Sequence, residues 1–452
     1  MSNNETNLRY IYFISAVAAI GGLLFGYDTA VISGAIGFLE TKFGLSPIMK
    51  GWAASSAIWG CVFGAMAAGY VSDRLGRKKV LIITAVLFAI SAIGSAIPND
   101  LTLFVIARFV GGVGVGAASM LSPMYISEIA PADRRGMLVT LYQLAIVLGI
   151  NLIYFVNLLI SGAGDTTWNV EMGWRYMLGS EVIPAALFLV ALLFVPESPR
   201  WLASKGRDED ALAILTKING KERGVEVLNE VKETLNEEKG TISELFAPGL
   251  RTAMIVGMFL ALFSQITGIN AIIYYAPEIF KSVGFGTDSA LLQTVIIGLT
   301  NTVFTFVALK FIDKAGRRKL LLWGVSGMIV CLFGIGVVFH FEVGSGPLLL
   351  LFILGFIASF ASSLGPIPWV IISEIFPTKT RGIAMSFAVL TLWIGVVLIT
   401  QLTPVLLTGV GGATTFWIFG ANAVFLLIFT YKMIPETKGK TLEEIERSWK
   451  KH

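Results

Sequence analysis

Apolar positions along this chain follow neither the two-residue period of a strand nor the single stripe of a soluble helix. They continue for about twenty residues at a time and then give way to short charged segments. A membrane-crossing helix needs about 20 predominantly apolar residues. Runs of that kind lie near 10–33, 52–72, 80–98, 101–126, 137–160, 174–195, 252–281, 289–311, 319–340, 347–373, 382–407 and 414–434. The pattern predicts an all-α membrane protein of twelve transmembrane helices, because a helix satisfies its backbone donors and acceptors within its own segment, as hydrocarbon demands.

Three signatures then recur about 240 residues apart. Asp73-Arg74-Leu75-Gly76-Arg77-Lys78-Lys79 returns as Asp313-Lys314-Ala315-Gly316-Arg317-Arg318-Lys319. Glu128-Ile129-Ala130-Pro131 with Arg135-Gly136 returns as Glu374-Ile375-Phe376-Pro377 with Arg381-Gly382. Pro196-Glu197-Ser198-Pro199-Arg200 returns as Pro435-Glu436-Thr437-Lys438-Gly439. Three ordered charged motifs at one offset indicate duplication. The expected domains are an N-terminal six-helix bundle (1–196), a cytoplasmic linker (197–250), a pseudo-symmetric C-terminal six-helix bundle (251–434) and a cytoplasmic tail (435–452). In the linker Leu212, Ile214, Leu215 and Ile218 fall at helical spacing among charges, which predicts short amphipathic helices.

Composition agrees with the runs: 55% of residues are hydrophobic, 14% are charged and the mean hydropathy is +0.77, which excludes an ordinary soluble globule. The 48 glycines suit close packing of membrane helices. The net charge of +4 does not point to nucleic acid, because the excess sits in loops on one side. The opposite links carry mainly Lys42, Lys50, Arg175 and Lys281, so the positive-inside rule places both termini in the cytoplasm. Cys61 and Cys331 lie in predicted spans and suggest no disulfide framework. The first apolar run lacks a convincing cleavage site and reads as a retained span, with the plasma or inner membrane as the expected location.

Polar residues inside apolar runs carry the chemistry. Asp28 sits in Gly21-Gly22-Leu23-Leu24-Phe25-Gly26-Tyr27-Asp28-Thr29-Ala30, and a carboxylate there persists when it has a partner or a task. Glu181 is a second intramembrane acid, for which a structural role and a share in a proton path both stand open. At the loop ends, Asp73, Arg77, Glu128, Arg135 and Glu197 in the first half face Asp313, Arg317, Glu374 and Arg381 in the second as a candidate cytoplasmic gate. Topology alone explains the basic residues but not the recurrence of Glu128 and Glu374 seven residues before an arginine. Gly112-Val113-Gly114-Val115-Gly116 has no preceding strand and reads as helix packing rather than a nucleotide loop. No Gly-x-x-x-x-Gly-Lys-Ser/Thr segment exists to suggest ATP-driven pumping. His340 and His452 have no ligand cluster around them. No metal or cofactor is expected.

The combination Asp-Arg-Leu-Gly-Arg-Lys after span two, Pro-Glu-Ser-Pro-Arg after span six and Pro-Glu-Thr-Lys-Gly after span twelve resembles the sugar porter family of the major facilitator superfamily over nearly the whole chain. Within that family the segments Met120–Ile126, Gly173–Met177 and Tyr274–Glu278 are most similar to the bacterial D-xylose–proton symporters. The resemblance implies two bundles around a central cavity that opens alternately to each side. It also implies a proton site at Asp28 and Arg108. Counted from the predicted span ends, both lie roughly 8–10 Å below the outer surface at 1.5 Å per residue, so they can meet. A structural ion pair is the other reading of this pair.

For the sugar, the resemblance implies contacts from Gln143, Gln265, Asn270, Asn301, Trp369 and Trp393, with Phe25, Tyr274 and Tyr275 as cavity or outer-gate aromatics. Amides suit hydroxyls, and aromatic faces suit the flat side of a sugar ring. Two departures bear on which sugar: the paired glutamines of span seven appear as Ser264-Gln265, and Leu392 replaces a polar residue before Trp393. Gly365-Pro366-Ile367-Pro368 is a weak point in span ten, serving either a gate or packing. The expected activity is proton-coupled import of D-xylose or a related pentose or hexose by a non-enzymatic, monomeric carrier in a lipid bilayer. A facilitative uniporter of the same fold and a transport-inactive sensor are the alternatives.

Overall fold

Every predicted apolar run is helical in the computed structural model, which describes residues 7–131, 134–236, 242–247, 250–341, 346–376 and 380–438. The helices are α1 (Leu8–Phe43), α2 (Pro47–Leu75), α3 (Arg77–Ala96), α4 (Leu101–Ile129), α5 (Arg135–Ser161), α6 (Thr166–Trp168), α7 (Trp174–Gly179), α8 (Val182–Leu193), α9 (Pro199–Ser204), α10 (Asp208–Asn219), α11 (Lys221–Asn236), α12 (Ile242–Leu245), α13 (Leu250–Ile266), α14 (Ile269–Ser282), α15 (Thr287–Ala315), α16 (Arg317–His340), α17 (Gly346–Ala361), α18 (Ile367–Glu374), α19 (Arg381–Gly409) and α20 (Gly411–Met433). A π-helical turn, Asn169–Gly173, joins α6 to α7, and no strand occurs among the described residues.

Among the described residues, eleven stretches are long and apolar enough to cross a membrane. The tenth predicted run, 347–373, is split: α17 ends at Ala361, and α18 begins only at Ile367. The break covers Ser362–Pro366, just ahead of and into the Gly365–Pro368 segment. Pro366 and Pro368 lack the N–H groups that would continue the ladder. The freed backbone is partly repaired locally, since Gly365 N–H reaches Phe360 O at 2.9 Å and Ile367 N–H reaches Ser363 O at 3.0 Å.

Two other runs expected as single helices are interrupted. The seventh turns at Thr267-Gly268 between α13 and α14, and the sixth at Ser180-Glu181 between α7 and α8. The first is longer than expected: α1 continues to Phe43, ten residues past the predicted end at 33. Glu40, Thr41 and Lys42 end the hydrocarbon run without ending the helix, because charge is compatible with helical backbone once outside the bilayer.

By contact the chain divides into two compact units that do not follow the sequence repeat. The first comprises Met1–Thr29, Trp59–Leu152 and Arg175–Glu238; the second comprises Ala30–Ile58, Ile153–Trp174 and Lys239–His452. Within the first, small residues bring backbones together, as where Gly60 and Gly64 of α2 meet Phe109 and Val113 of α4. The linker belongs here. Leu202, Ala203, Ala211, Leu215 and Leu228 of α9–α11 bury one another, with Leu212 and Ile214 packed around them. Residues 237–241 and 248–249 of the expected linker lie outside the described set.

Candidate functional site

Asp28 of α1 and Arg108 of α4 meet in the first unit, 0% and 1% exposed. One guanidinium nitrogen of Arg108 bonds Asp28 Oδ1, and the other donates to the Asp28 carbonyl at 2.8 Å. Their meeting does not depend on a common distance from the helix ends, since α1 runs well beyond the predicted span while Arg108 is seven residues into α4.

Glu181 joins them. It is 1% exposed, stands at the break between α7 and α8, and lies close enough to Asp28 and Arg108 to interact with both. Among the described residues, Asp28 Oδ2, both Glu181 oxygens and the nearby Ser91 Oγ of α3 have no hydrogen-bond partner. The preceding residue, Ser180, gives its proton to Met177 O at 2.6 Å, so it accepts from Tyr27 O–H at 2.8 Å. Sequence alone named Asp28, Arg108 and Glu181; Tyr27 and Ser180 carried no signal beyond their neighbours.

The repeated charge motifs build the same cluster twice, once in each unit. In the first, the Arg77 guanidinium bonds Asp73 at 2.8 Å, Glu128 at 3.2 Å and Ser72 O at 3.1 Å. Glu128 also accepts from Ser198 Oγ at 2.5 Å. In the second, Arg317 bonds Glu374 at 3.1 Å, and Glu374 accepts from Thr437 Oγ1 at 2.5 Å. Ser198 and Thr437 went unremarked in the sequence, although they hold the same position in the repeated motif. Arg135 opens α5 with an exposed side chain. The side chains of Asp313 and Arg381 lie outside the described set.

The Glu197 carboxylate caps α3, accepting from the backbone N–H of Arg77 at 2.9 Å and Lys78 at 3.0 Å. Glu436 caps α16 likewise through Arg317 and Arg318 N–H at 3.0 and 3.2 Å. An acid at a helix start satisfies orphan donors and opposes the helix dipole. Glu197→Ala is therefore expected to cost about 1 kcal/mol. In detergent the variant's thermal midpoint should drop by a few degrees, with Glu436→Ala alike; an unchanged midpoint in both would contradict the cap.

Of the sugar-contact and cavity candidates, seven fall in the second unit and two, Phe25 and Gln143, in the first. Gln265 and Asn270 flank the break in the seventh run. Gly268 there has φ 93°, and a Cβ on it would meet the Phe419 ring at 2.5 Å, so only glycine allows the turn. Carbonyls released by the break are taken up: Asn422 Nδ2 donates to Ile266 O at 3.1 Å and Thr267 Oγ1 to Ser264 O at 3.1 Å. Asn270 Nδ2 donates to Gln265 Oε1 at 2.8 Å. Asn301 of α15, Tyr274 of α14 and Trp393 of α19 are buried, whereas Trp369 of α18 is 37% exposed. Tyr275 is an anchor, giving its O–H to Thr400 O at 2.8 Å.

At the end of the second unit away from the charge motifs, α1 and α2 are tied to α14 and α19. Lys50 bonds Glu40 at 2.5 Å and Glu278 at 3.0 Å, and Lys281 bonds Glu278 at 3.1 Å. Ser55 meets Gln401 Oε1 at 2.8 Å, while Gln401 Nε2 donates to Ile48 O at 2.9 Å. Lys42 pairs with Glu171. The few lysines of these links thus each have an acidic partner, which their sequence spacing did not reveal.

Comparison with known proteins matches residues 14–449 to the family model described as "Sugar (and other) transporter". The chain is 47% identical to the arabinose-proton symporter of Bacillus subtilis strain 168, covering 98% of this chain and 96% of that protein. It is 43% identical to the D-xylose-proton symporter of Escherichia coli strain K12, with 99% and 97% covered. Among solved structures, the inward-open conformation of the E. coli xylose transporter XylE superposes with TM-score 0.88 at 42% identity, covering 97% of this chain and 100% of that one.

Proposed function

Because this chain belongs to the sugar (and other) transporter family, as a sugar porter of the major facilitator superfamily, we propose that it is a proton-coupled monosaccharide symporter working by alternating access. It is a multi-pass membrane transport protein, not an enzyme. Its substrate is a pentose such as D-xylose or arabinose, or a related hexose; the names of its relatives support this choice.

The observation that carries the coupling is charge balance in the buried cluster. Arg108 supplies one positive charge, while Asp28 and Glu181 supply two negative ones when ionised. The group is neutral only with one proton added, and an uncompensated buried charge is costly. A proton that enters when the cluster is wetted from one side, and leaves when it is wetted from the other, links its movement to the change of state. Gln265, Asn270, Asn301, Trp369 and Trp393 form the sugar contacts, with Gln143, Phe25 and Tyr274 as further candidates. The paired charge clusters act as the gate on the cytoplasmic side, where both termini lie. The protein works as a monomer in the plasma or inner membrane. The division into bundles 1–196 and 251–434 joined by the linker 197–250 describes the rocking parts.

The test is uptake of radiolabelled D-xylose, L-arabinose and D-glucose into proteoliposomes with and without an inward proton gradient. Accumulation above equilibrium with the gradient alone is the expected result. Equilibration that ignores the gradient would indicate a uniporter, and binding without flux a sensor.

A further inference from the structure

We infer that Ser264 sets which way the Gln265 amide faces, so that Gln265 offers a sugar hydroxyl an N–H rather than its carbonyl. The assignment rests on the sugar-transport reading above and deepens it by naming a positioning residue. Ser264 is 1% exposed and presents no surface to a ligand, so it acts on the sugar only through a neighbour.

Its hydroxyl has one proton, and that proton goes to Ala261 O of the preceding helical turn at 2.7 Å. Toward Gln265 it can therefore only accept, and Gln265 Nε2 donates to it at 3.1 Å. Gln265 Oε1 accepts from Asn270 Nδ2 at 2.8 Å, and Asn270 is itself 7% exposed. The Ser264 hydroxyl dictates this orientation, and the Asn270 amide, able to present either end, complements it.

Of the two amide N–H groups, one is spent on Ser264 and one remains, while an oxygen lone pair is committed to Asn270. The remaining N–H suits the oxygen of a sugar hydroxyl. The backbone supports this arrangement: Gln265 O accepts from Gly268 N–H at 3.1 Å, where the helix turns and brings the Asn270 side chain, five residues on, to Gln265. The serine that departs from the paired glutamines is thus a bracket for the glutamine that remains. Leu392, 8% exposed, adds no hydrogen bond of its own.

The experiment compares wild type, Ser264→Ala and Ser264→Thr in full-length protein reconstituted in proteoliposomes, reading KM and maximal rate of D-xylose and L-arabinose counterflow. Alanine removes the acceptor, and loss of one neutral hydrogen bond predicts a KM raised about three- to tenfold with the maximal rate held within about twofold. Threonine keeps the hydroxyl and is expected to restore KM. In a Gln265→Ala background, measured by competition, Ser264→Ala should add nothing, because there is no amide left to orient. An unchanged KM in Ser264→Ala overturns the inference, and so does an equal rise in both backgrounds or a failure of threonine to rescue. If wild type exchanges neither pentose nor D-glucose, the sugar reading itself falls and the assignment with it. Wild-type flux with an unaltered Ser264→Ala removes the assignment alone.

Discussion

Asp28→Asn is expected to abolish gradient-driven accumulation of sugar while leaving sugar exchange across the membrane in place. Asparagine is nearly isosteric and keeps an oxygen for Arg108, whose second bond goes to the Asp28 carbonyl and does not depend on the side chain. The buried group then holds one cation and one acid, Arg108 and Glu181, and is neutral with no added proton. Nothing compels a proton to travel with the sugar. An inward gradient of one pH unit is worth about 1.4 kcal/mol, or about tenfold accumulation at one proton per sugar. The variant should lose that whole factor and settle at equilibrium. The check is a paired measurement of accumulation and counterflow in the same vesicles. Retained accumulation would move the titrating site to Glu181, and loss of counterflow as well would mark Asp28 as structural.

The second large effect is expected from one methyl group. Gly26 of α1 lies against α5 so closely that a Cβ would collide with the Ile146 carbonyl oxygen and stand 2.9 Å from Ile150 N. Both are backbone atoms of a helix and cannot rotate aside. Gly26→Ala must push α1 from α5, two residues before Asp28, and over-packing of that sort costs about 1–3 kcal/mol or more. Little monodisperse protein is expected, and any that survives should melt earlier than wild type. Gly69 of α2 has nothing within 4 Å of its would-be Cβ, so Gly69→Ala is the matched control. Equal yield and melting for the two variants would refute the close approach.

Much of the architecture could be read in one dimension. A run of apolar residues long enough to cross hydrocarbon is a local property, and so is a charged motif repeated at a constant offset. The spans, the duplication and the helical linker were legible for that reason. The run that splits into α17 and α18 was also legible in part, because Pro366 and Pro368 announce missing donors whatever surrounds them. Gly268 announced nothing. It is one glycine among 48, and its necessity comes from the Phe419 ring packed against it from a helix 150 residues away. The extent of α1 was misjudged for a related reason: hydropathy reports where the bilayer ends, which is not where the hydrogen-bond ladder ends.

Partner choice shows the division best. The chain by itself established that Asp28, Arg108 and Glu181 are charges in apolar surroundings, and such charges require company. That Glu181 stands with Asp28, and not alone in a polar niche, was decided by a turn in the sixth run and by contacts between residues 80 or more apart. Glu197 carried no sign in the sequence that it would cap α3, nor Ser198 beside it that it would be the partner of Glu128. Ser264 stood in the sequence as a departure from paired glutamines and in the fold accepts from the Gln265 amide. Residue type and spacing determine what a side chain is able to do, since chemistry and helix period are carried locally. Only the tertiary structure decides which of those capacities is used, because a hydrogen bond forms over about 3 Å and selects among neighbours that the linear order does not contain.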